Sequence, residues 1–303
     1  MKGLITVNFR TDLAIEATEL EEVNNIQGIQ KEEKKYDELT LTKISIDTKE
    51  AAEKLGKPIG EYITIELPSL TDDFKSADKR LEIIAKQISY LIPINGTILV
   101  VGLGNYNITP DALGPKTAKS ILATRHITGE VAKSTGLENL RSVAVLSPGV
   151  LGQTGIEVSE ILFSVVNKIK PSALILIDAL ASKETSRLGT TIQIANNGIS
   201  PGSGVGNSRP PINKDTMGIP VISIGVPTVV DATTLAANLF SSIDESLSRD
   251  TINQKVTPKG ASMMVTPKEI DLLIERASKL LSMSINCALQ PLFSIEDIIS
   301  LVY

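Results

Sequence analysis

The chain has 303 residues, 42% of them hydrophobic and 21% charged, a globular balance with enough apolar material for a sizeable core. Aromatic residues amount to 3%, tryptophan is absent and the net charge is −5, which argues against a base-stacking surface and against a basic face for nucleic acid. One cysteine, Cys287, forbids an intrachain disulfide, and one histidine, His126, forbids a two-histidine zinc site, so the chemistry left available is that of 35 Asp and Glu residues.

From the N-terminus, Met1 to Leu20 lacks the apolar core of a signal peptide. No run along the chain approaches the roughly 18 apolar residues of a membrane span. With its lone cysteine, the chain is expected in a reducing cytoplasm. Glu21 to Asp37 is polar and reads as an exposed connector or a solvated helix. Leu39 to Ile46 alternates as a half-buried strand does, and Tyr62 to Leu67 is similar. Phe74 to Ile92 carries apolar residues at helical spacing.

Short apolar strands then alternate with amphipathic helices. Strands are expected at Ile98–Val101, Ser142–Leu146, Ala173–Ile177, Thr190–Ile194 and Val221–Val226. Helices are expected at Pro115–Thr124, Glu157–Ile169 and Ala232–Leu247. Thr266-Pro267-Lys268-Glu269 reads as a capping box opening a helix that runs to about Leu289. This pattern predicts one α/β domain over 38–303, with a mostly parallel sheet and helices on both faces, preceded by an extension over 1–37.

Sites in such sheets form beyond the carboxyl ends of strands. Asp178 follows the Ala173–Ile177 run directly, and is either a reacting carboxylate at that edge or a turn-former. Asp111 lies in Asn107-Ile-Thr-Pro-Asp-Ala-Leu-Gly-Pro115, and either carries function or settles the start of a short helix. Two close carboxylates can share one proton, making one the base and the other the acid for cutting a peptide bond. The glycine-rich Pro201–Asn207 stretch lacks the ending of a phosphate loop, and lines a substrate or forms a turn. His126 reads as a helix-end group, and Cys287 as packing.

Positions 100 to 115, Val-Val-Gly-Leu-Gly-Asn-Tyr-Asn-Ile-Thr-Pro-Asp-Ala-Leu-Gly-Pro, resemble the germination protease family of spore-forming bacteria. So do Ser147–Glu157, Leu176–Ala181, Thr190–Ile194, Gly198–Asn207, Ile224–Ala232 and Met264–Glu269, in collinear order. The resemblance implies an atypical aspartic endopeptidase that degrades small acid-soluble, DNA-protecting spore proteins in the spore core during germination. It places the two family aspartates on Asp111 and Asp178, with no cofactor and no metal. It implies a fold like that of hydrogenase-maturation peptidases, a zymogen that processes itself and a homotetramer. Phe9–Glu16 resembles the self-processing site, cut between Asp12 and Leu13, and also the acidic-then-aliphatic Thr-Glu-Ile-Ala type of site cut in substrates. Candidate substrate-lining residues are Thr154, Glu157, Gly202, Ser203, Gly204 and Asn207. No membrane or direct nucleic-acid partner is expected. The connector over 248–262 is shorter than the family's usual insertion. The alternative reading is a metal-dependent maturation peptidase of similar fold, in which a carboxylate and His126 bind a divalent ion.

Overall fold

The computed structural model describes residues 11–20, 26–68, 70, 78–202, 209–243 and 263–302. The strands are β1 (Ile29–Lys35), β2 (Thr40–Ile46), β3 (Gly60–Glu66), β4 (Ile98–Gly102), β5 (Val143–Leu146), β6 (Ala173–Ser182), β7 (Thr191–Ala195), β8 (Val221–Asp231) and β9 (Met264–Val265). They form one sheet in the order β1-β2-β3-β7-β8-β6-β4-β5, with β9 paired to the far end of β8. The helices are α1 (Ala14–Leu20), α2 (Lys49–Leu55), α3 (Lys79–Leu91), α4 (Leu113–Lys119), α5 (Gly129–Thr135), α6 (Leu151–Thr154), α7 (Val158–Ile169), α8 (Lys214–Met217), α9 (Ala232–Ile243), α10 (Ile270–Leu289) and α11 (Ile295–Val302).

The single α/β sheet with helices on both faces is as the sequence implies, but its parallel part is smaller than expected. Among the described strands, parallel pairing joins β5, β4, β6 and β8. The remaining strands, β1, β2, β3, β7 and β9, pair antiparallel. The cause is visible in the residues. Continuous apolar runs such as Ile98–Val101 build the doubly covered parallel half, whereas the alternating Leu39–Ile46 run builds the antiparallel half.

Alternation along the strands sorts the core into layers. Ile98, Val100, Ile175 and Ile177 face α3, α4 and α10, whose Leu81, Ile84, Leu113 and Leu280 complete the larger cluster. Leu99, Val101, Leu174 and Leu176 face the other way, onto Leu162 and Val166 of α7 and Met217 of α8. Further along that second face, Ile44, Ile46, Tyr62 and Leu180 pack on Leu13, on Ile15 of α1 and on Ala51 and Leu55 of α2. The second face therefore carries two separate apolar layers. Asp178 lies on it, between Leu176 of one layer and Leu180 of the other.

Three expectations need correction. Residues 29–35, read as part of a connector, are edge strand β1, in register with β2 from Ile29↔Ile46 to Lys35↔Thr40. Its charged, exposed residues suit an edge that must not recruit another strand. Helix α4 is shorter than the expected 115–124. Thr266 does not cap α10; its hydroxyl donates instead to the Thr228 carbonyl at 3.0 Å, and the N-cap is Glu269 without a side-chain bond.

Candidate active site

Asp111 is set on a short 3-10 turn, Thr109–Asp111, between β4 and α4. Its Oδ2 accepts the Asn105 backbone N–H at 2.7 Å. That approach requires a glycine at 104, where φ is +110° and a Cβ would come within 2.1 Å of the Asp111 carbonyl oxygen. Gly114 serves similarly: a Cβ there would lie 2.2 Å from the Leu103 carbonyl and 2.4 Å from that of Ile177. The turn is also tied from below. A bulge shifts the β6–β8 register between Leu180↔Pro227 and Ala181↔Val229, leaving Thr228 unpaired. The Thr228 hydroxyl donates to the Pro110 carbonyl at 2.8 Å, a side chain re-aimed by the bulge.

Asp178 lies inside β6 rather than past its end, because pairing with β8 continues to Ser182. The neighbour on its other side does stop there: β4 ends at Gly102, opposite Ile177. Beyond that point no strand among the described residues pairs with that edge of β6, and Asp12 bonds to it instead. The Leu103 N–H donates to the Ile177 carbonyl, and four residues on, the Asp12 N–H donates to the Ala181 carbonyl, each at 2.8 Å. The Ala181 N–H returns a bond to Asp12 Oδ2 at 2.8 Å.

Both aspartates line one cavity of about 700 Å³, together with Asp12, Lys57, Gln193 and Gly202. Burial pushes the Asp178 carboxyl well above the usual carboxylate range, reinforced by the charges of Asp111 and Asp12 and opposed by the Ala179 N–H. Burial also raises Asp111, against the stabilising Asn105 N–H. Lys57 is the one Lys or Arg among the described lining residues, and its Nζ donates to the Thr11 carbonyl at 2.7 Å. Burial pushes its pKa down, and Asp12 and Glu16 push it back up.

The segment carrying Asp12 and Leu13 is held closely. Gln193 Nε2 donates to the Asp12 carbonyl at 3.0 Å, and Gln193 Oε1 accepts the Ala14 N–H at 2.7 Å. Leu13 is wholly buried and belongs to the α1–α2 layer. Glu16 is buried too; it accepts the N–H groups of Lys183 and Glu184 at 2.7 and 3.0 Å and the Thr11 hydroxyl.

The structure thus brings Asp111, Asp178, Asp12 and Gly202 to one cavity. It does not bring Thr154 or Glu157 there. Thr154 ends α6, where its hydroxyl accepts the Ile156 N–H at 3.1 Å, and Glu157 opens α7 and pairs with Arg209 at 3.6 Å. Ser203, Gly204 and Asn207 lie outside the described residues. His126 sits in an exposed turn anchored to Val143, at the amino end of β5, whereas the aspartates lie past the carboxyl end of β4. His126 and the aspartates therefore do not make one donor set. Among the described residues no group of three His, Cys, Asp or Glu side chains is arranged to hold a metal ion. Among them, too, no helix is long and apolar enough to cross a membrane. The sequence reading missed Gln193, Lys57 and Thr228. A glutamine in the buried Thr191–Ala195 strand was a legible signal; the other two depend on a turn and a bulge.

The germination protease family model matches residues 9–241. The chain is 44% identical to the germination protease of Caldanaerobacter subterraneus subsp. tengcongensis, over 95% of this chain and 96% of that one. It is 42% identical to the germination protease of Clostridium tetani, over 96% and 98%, and 35% identical to that of Bacillus cereus (strain AH187), over 92% and 93%. Among solved structures, the NiFe hydrogenase maturation protease HycI from Thermococcus kodakarensis KOD1 aligns with a TM-score of 0.36 at 16% identity, over 66% of this chain and 98% of that one, a likeness too slight to carry an argument.

Proposed function

The chain belongs to the germination protease family, and from that premise we propose that it is a self-processing endopeptidase using Asp111 and Asp178 as an acid–base pair. Its substrates on this reading are the small acid-soluble, DNA-protecting proteins of the spore core. A zymogen state and a homotetramer belong to the same reading. What supports it is the convergence of both aspartates and Asp12 on one cavity.

The environments divide the labour. Asp178, the more strongly raised carboxyl, holds a proton and serves as acid; Asp111, less raised and bonded by Asn105, serves as base. Asp111 takes a proton from water as the water oxygen attacks the peptide carbonyl carbon. Asp178 gives its proton to the leaving nitrogen as the carbon–nitrogen bond breaks. The Asp111 proton then returns to Asp178 to restore the pair. Asp12 pairs with Ala181 on the β6 edge, its N–H donating to the Ala181 carbonyl and its Oδ2 accepting the Ala181 N–H, and an extended substrate would be held along that edge.

The test is mass spectrometry of the full chain mixed with a spore-protein peptide of Thr-Glu-Ile-Ala type. Wild type should cut the peptide and its own Asp12–Leu13 bond. Asp111→Asn and Asp178→Asn should each lose both cuts, by about a hundredfold or more, while keeping the circular dichroism of the folded chain. Full activity in either variant would sink the assignment.

A further inference from the structure

Three neighbouring strands put Gln193, Gly225 and Asp178 in one row. Gln193 of β7 is the register partner of Gly225 of β8, and Gly225 is the partner of Asp178 of β6. Register partners point to the same face, so Gln193 and Asp178 flank a position that has no side chain. That position does not tolerate one: a Cβ on Gly225 would lie 2.6 Å from Leu180 Cγ and 2.7 Å from the Asp178 carbonyl oxygen. The Leu180 side chain fills the space over Gly225, and Gln193 and Asp178 on either side of it border the same cavity.

Gln193 brackets the Asp12–Leu13 bond. Its Nε2 donates to the carbonyl of that very peptide, at 3.0 Å, while its Oε1 accepts the Ala14 N–H, at 2.7 Å. The two partners fix which end of the amide is nitrogen, since a carbonyl must face a donor and an N–H must face an acceptor. Gln193 is nearly buried, so its bonds are sheltered from water. Nothing in the acid–base cycle needs it, and its amide does not titrate.

We propose that Gln193 is a catalytic residue, the hydrogen-bond donor that stabilises the oxyanion formed at the carbonyl of the bond being cut. The proposal rests on the endopeptidase reading and deepens it. As the water oxygen bonds to the carbonyl carbon, the carbonyl π pair moves onto its oxygen, and the Gln193 Nε2–H meets that negative charge. The pair returns to re-form the carbonyl as the carbon–nitrogen bond breaks, and the leaving nitrogen takes the proton of Asp178. Gln193 gains and loses no proton. Its second bond, to the N–H two residues on, holds the substrate in register so that the donor faces the correct carbonyl.

The experiment uses the full chain and a peptide copying residues 7–20 of this sequence. Gln193→Met keeps the length and Gln193→Leu a similar volume, and each removes the donor. Both should lower kcat about 100- to 1000-fold, the range for a lost oxyanion donor, with KM changed by less than about fivefold. A thioamide at the position-12 carbonyl, a poorer acceptor, should slow wild type more than either variant. A kcat within about threefold of wild type in a folded variant, or a loss confined to KM, would overturn the proposal and leave a binding role. Should Gln193→Met fail to fold, Gln193→Leu decides. A wild-type chain that cuts neither this peptide nor a spore-protein peptide overturns the endopeptidase reading itself, and the oxyanion role with it.

Discussion

Replacing Glu16 with Ala should loosen the N-terminal segment while leaving the sheet folded. The Glu16 carboxylate accepts the Lys183 N–H at 2.7 Å and the Glu184 N–H at 3.0 Å, and Arg187 Nη1 stands 3.9 Å away. Bonds to a charged group contribute about 1.5–3 kcal/mol each, and removing one partner of a buried ionic contact costs about 3–5 kcal/mol. The upper figure is not reached. Once the segment lifts, water reaches the Lys183 and Glu184 N–H groups, so the loss cannot exceed the free energy that seats the segment. A fall of about 3 kcal/mol in the local opening free energy follows, or exchange faster by about a hundredfold. The assay is hydrogen exchange followed by mass spectrometry over residues 11–20, in an Asp178→Asn background so that the chain stays uncut. Glu16→Gln keeps one acceptor oxygen and should give an increase of about tenfold. Wild-type exchange in Glu16→Ala, or equal acceleration in β6 and β8, would show that Glu16 does not seat the segment.

Two further outcomes follow from the site. A carboxyl whose pKa is raised by folding, as for Asp178, favours the folded state when protonated; that stability is full below the usual carboxylate value and is lost as pH rises through the raised one. Asp178→Asn should therefore melt above wild type at pH 7, the gap closing toward about pH 4; a gap independent of pH would contradict the charge origin. Gly104→Ala forces a Cβ to 2.1 Å from the Asp111 carbonyl at φ +110°, so it should cost about 1–3 kcal/mol in thermal melts and lower kcat by displacing Asp111. An unchanged kcat would show that the turn does not position the carboxylate.

Much of the parallel half was legible because strands buried on both faces must be apolar throughout. Ile98–Val101 and Val221–Val226 therefore announced themselves. Strand β1 did not, since Ile-Gln-Lys-Glu-Glu-Lys-Lys has no apolar alternation; it is an edge strand recognisable only through its partner β2. The true length of β6 was also hidden. Its apolar run breaks at Asp178, yet β8 continues beside it, so a site residue that looked terminal lies within a strand. For the site, counting histidines and cysteines narrowed the chemistry to carboxylates, and the motif resemblance pointed to Asp111 and Asp178. Thr154 and Glu157 sat in a matching motif, but their bonds serve the start of α7 rather than the cavity. Lys57 carried no local signal. It is delivered by the left-handed Gly56 that ends α2, meeting a segment 46 residues earlier in the chain.

Leu13, Ala14, Ile15 and Glu16 are all buried, and all follow the Asp12–Leu13 bond. Cutting that bond leaves them attached to the enzyme as the start of α1 and the residue before it. A tethered ligand faces its own site at an effective concentration in the millimolar range. The new amino terminus is then a competitor that dilution cannot wash out, and incoming protein must displace it at every encounter. Severing the segment and vacating the cleft are separate events on this architecture. On the proposed reading the onset of turnover follows the second, through whatever frees Glu16 from the Lys183 and Glu184 N–H groups and Leu13 from its apolar layer.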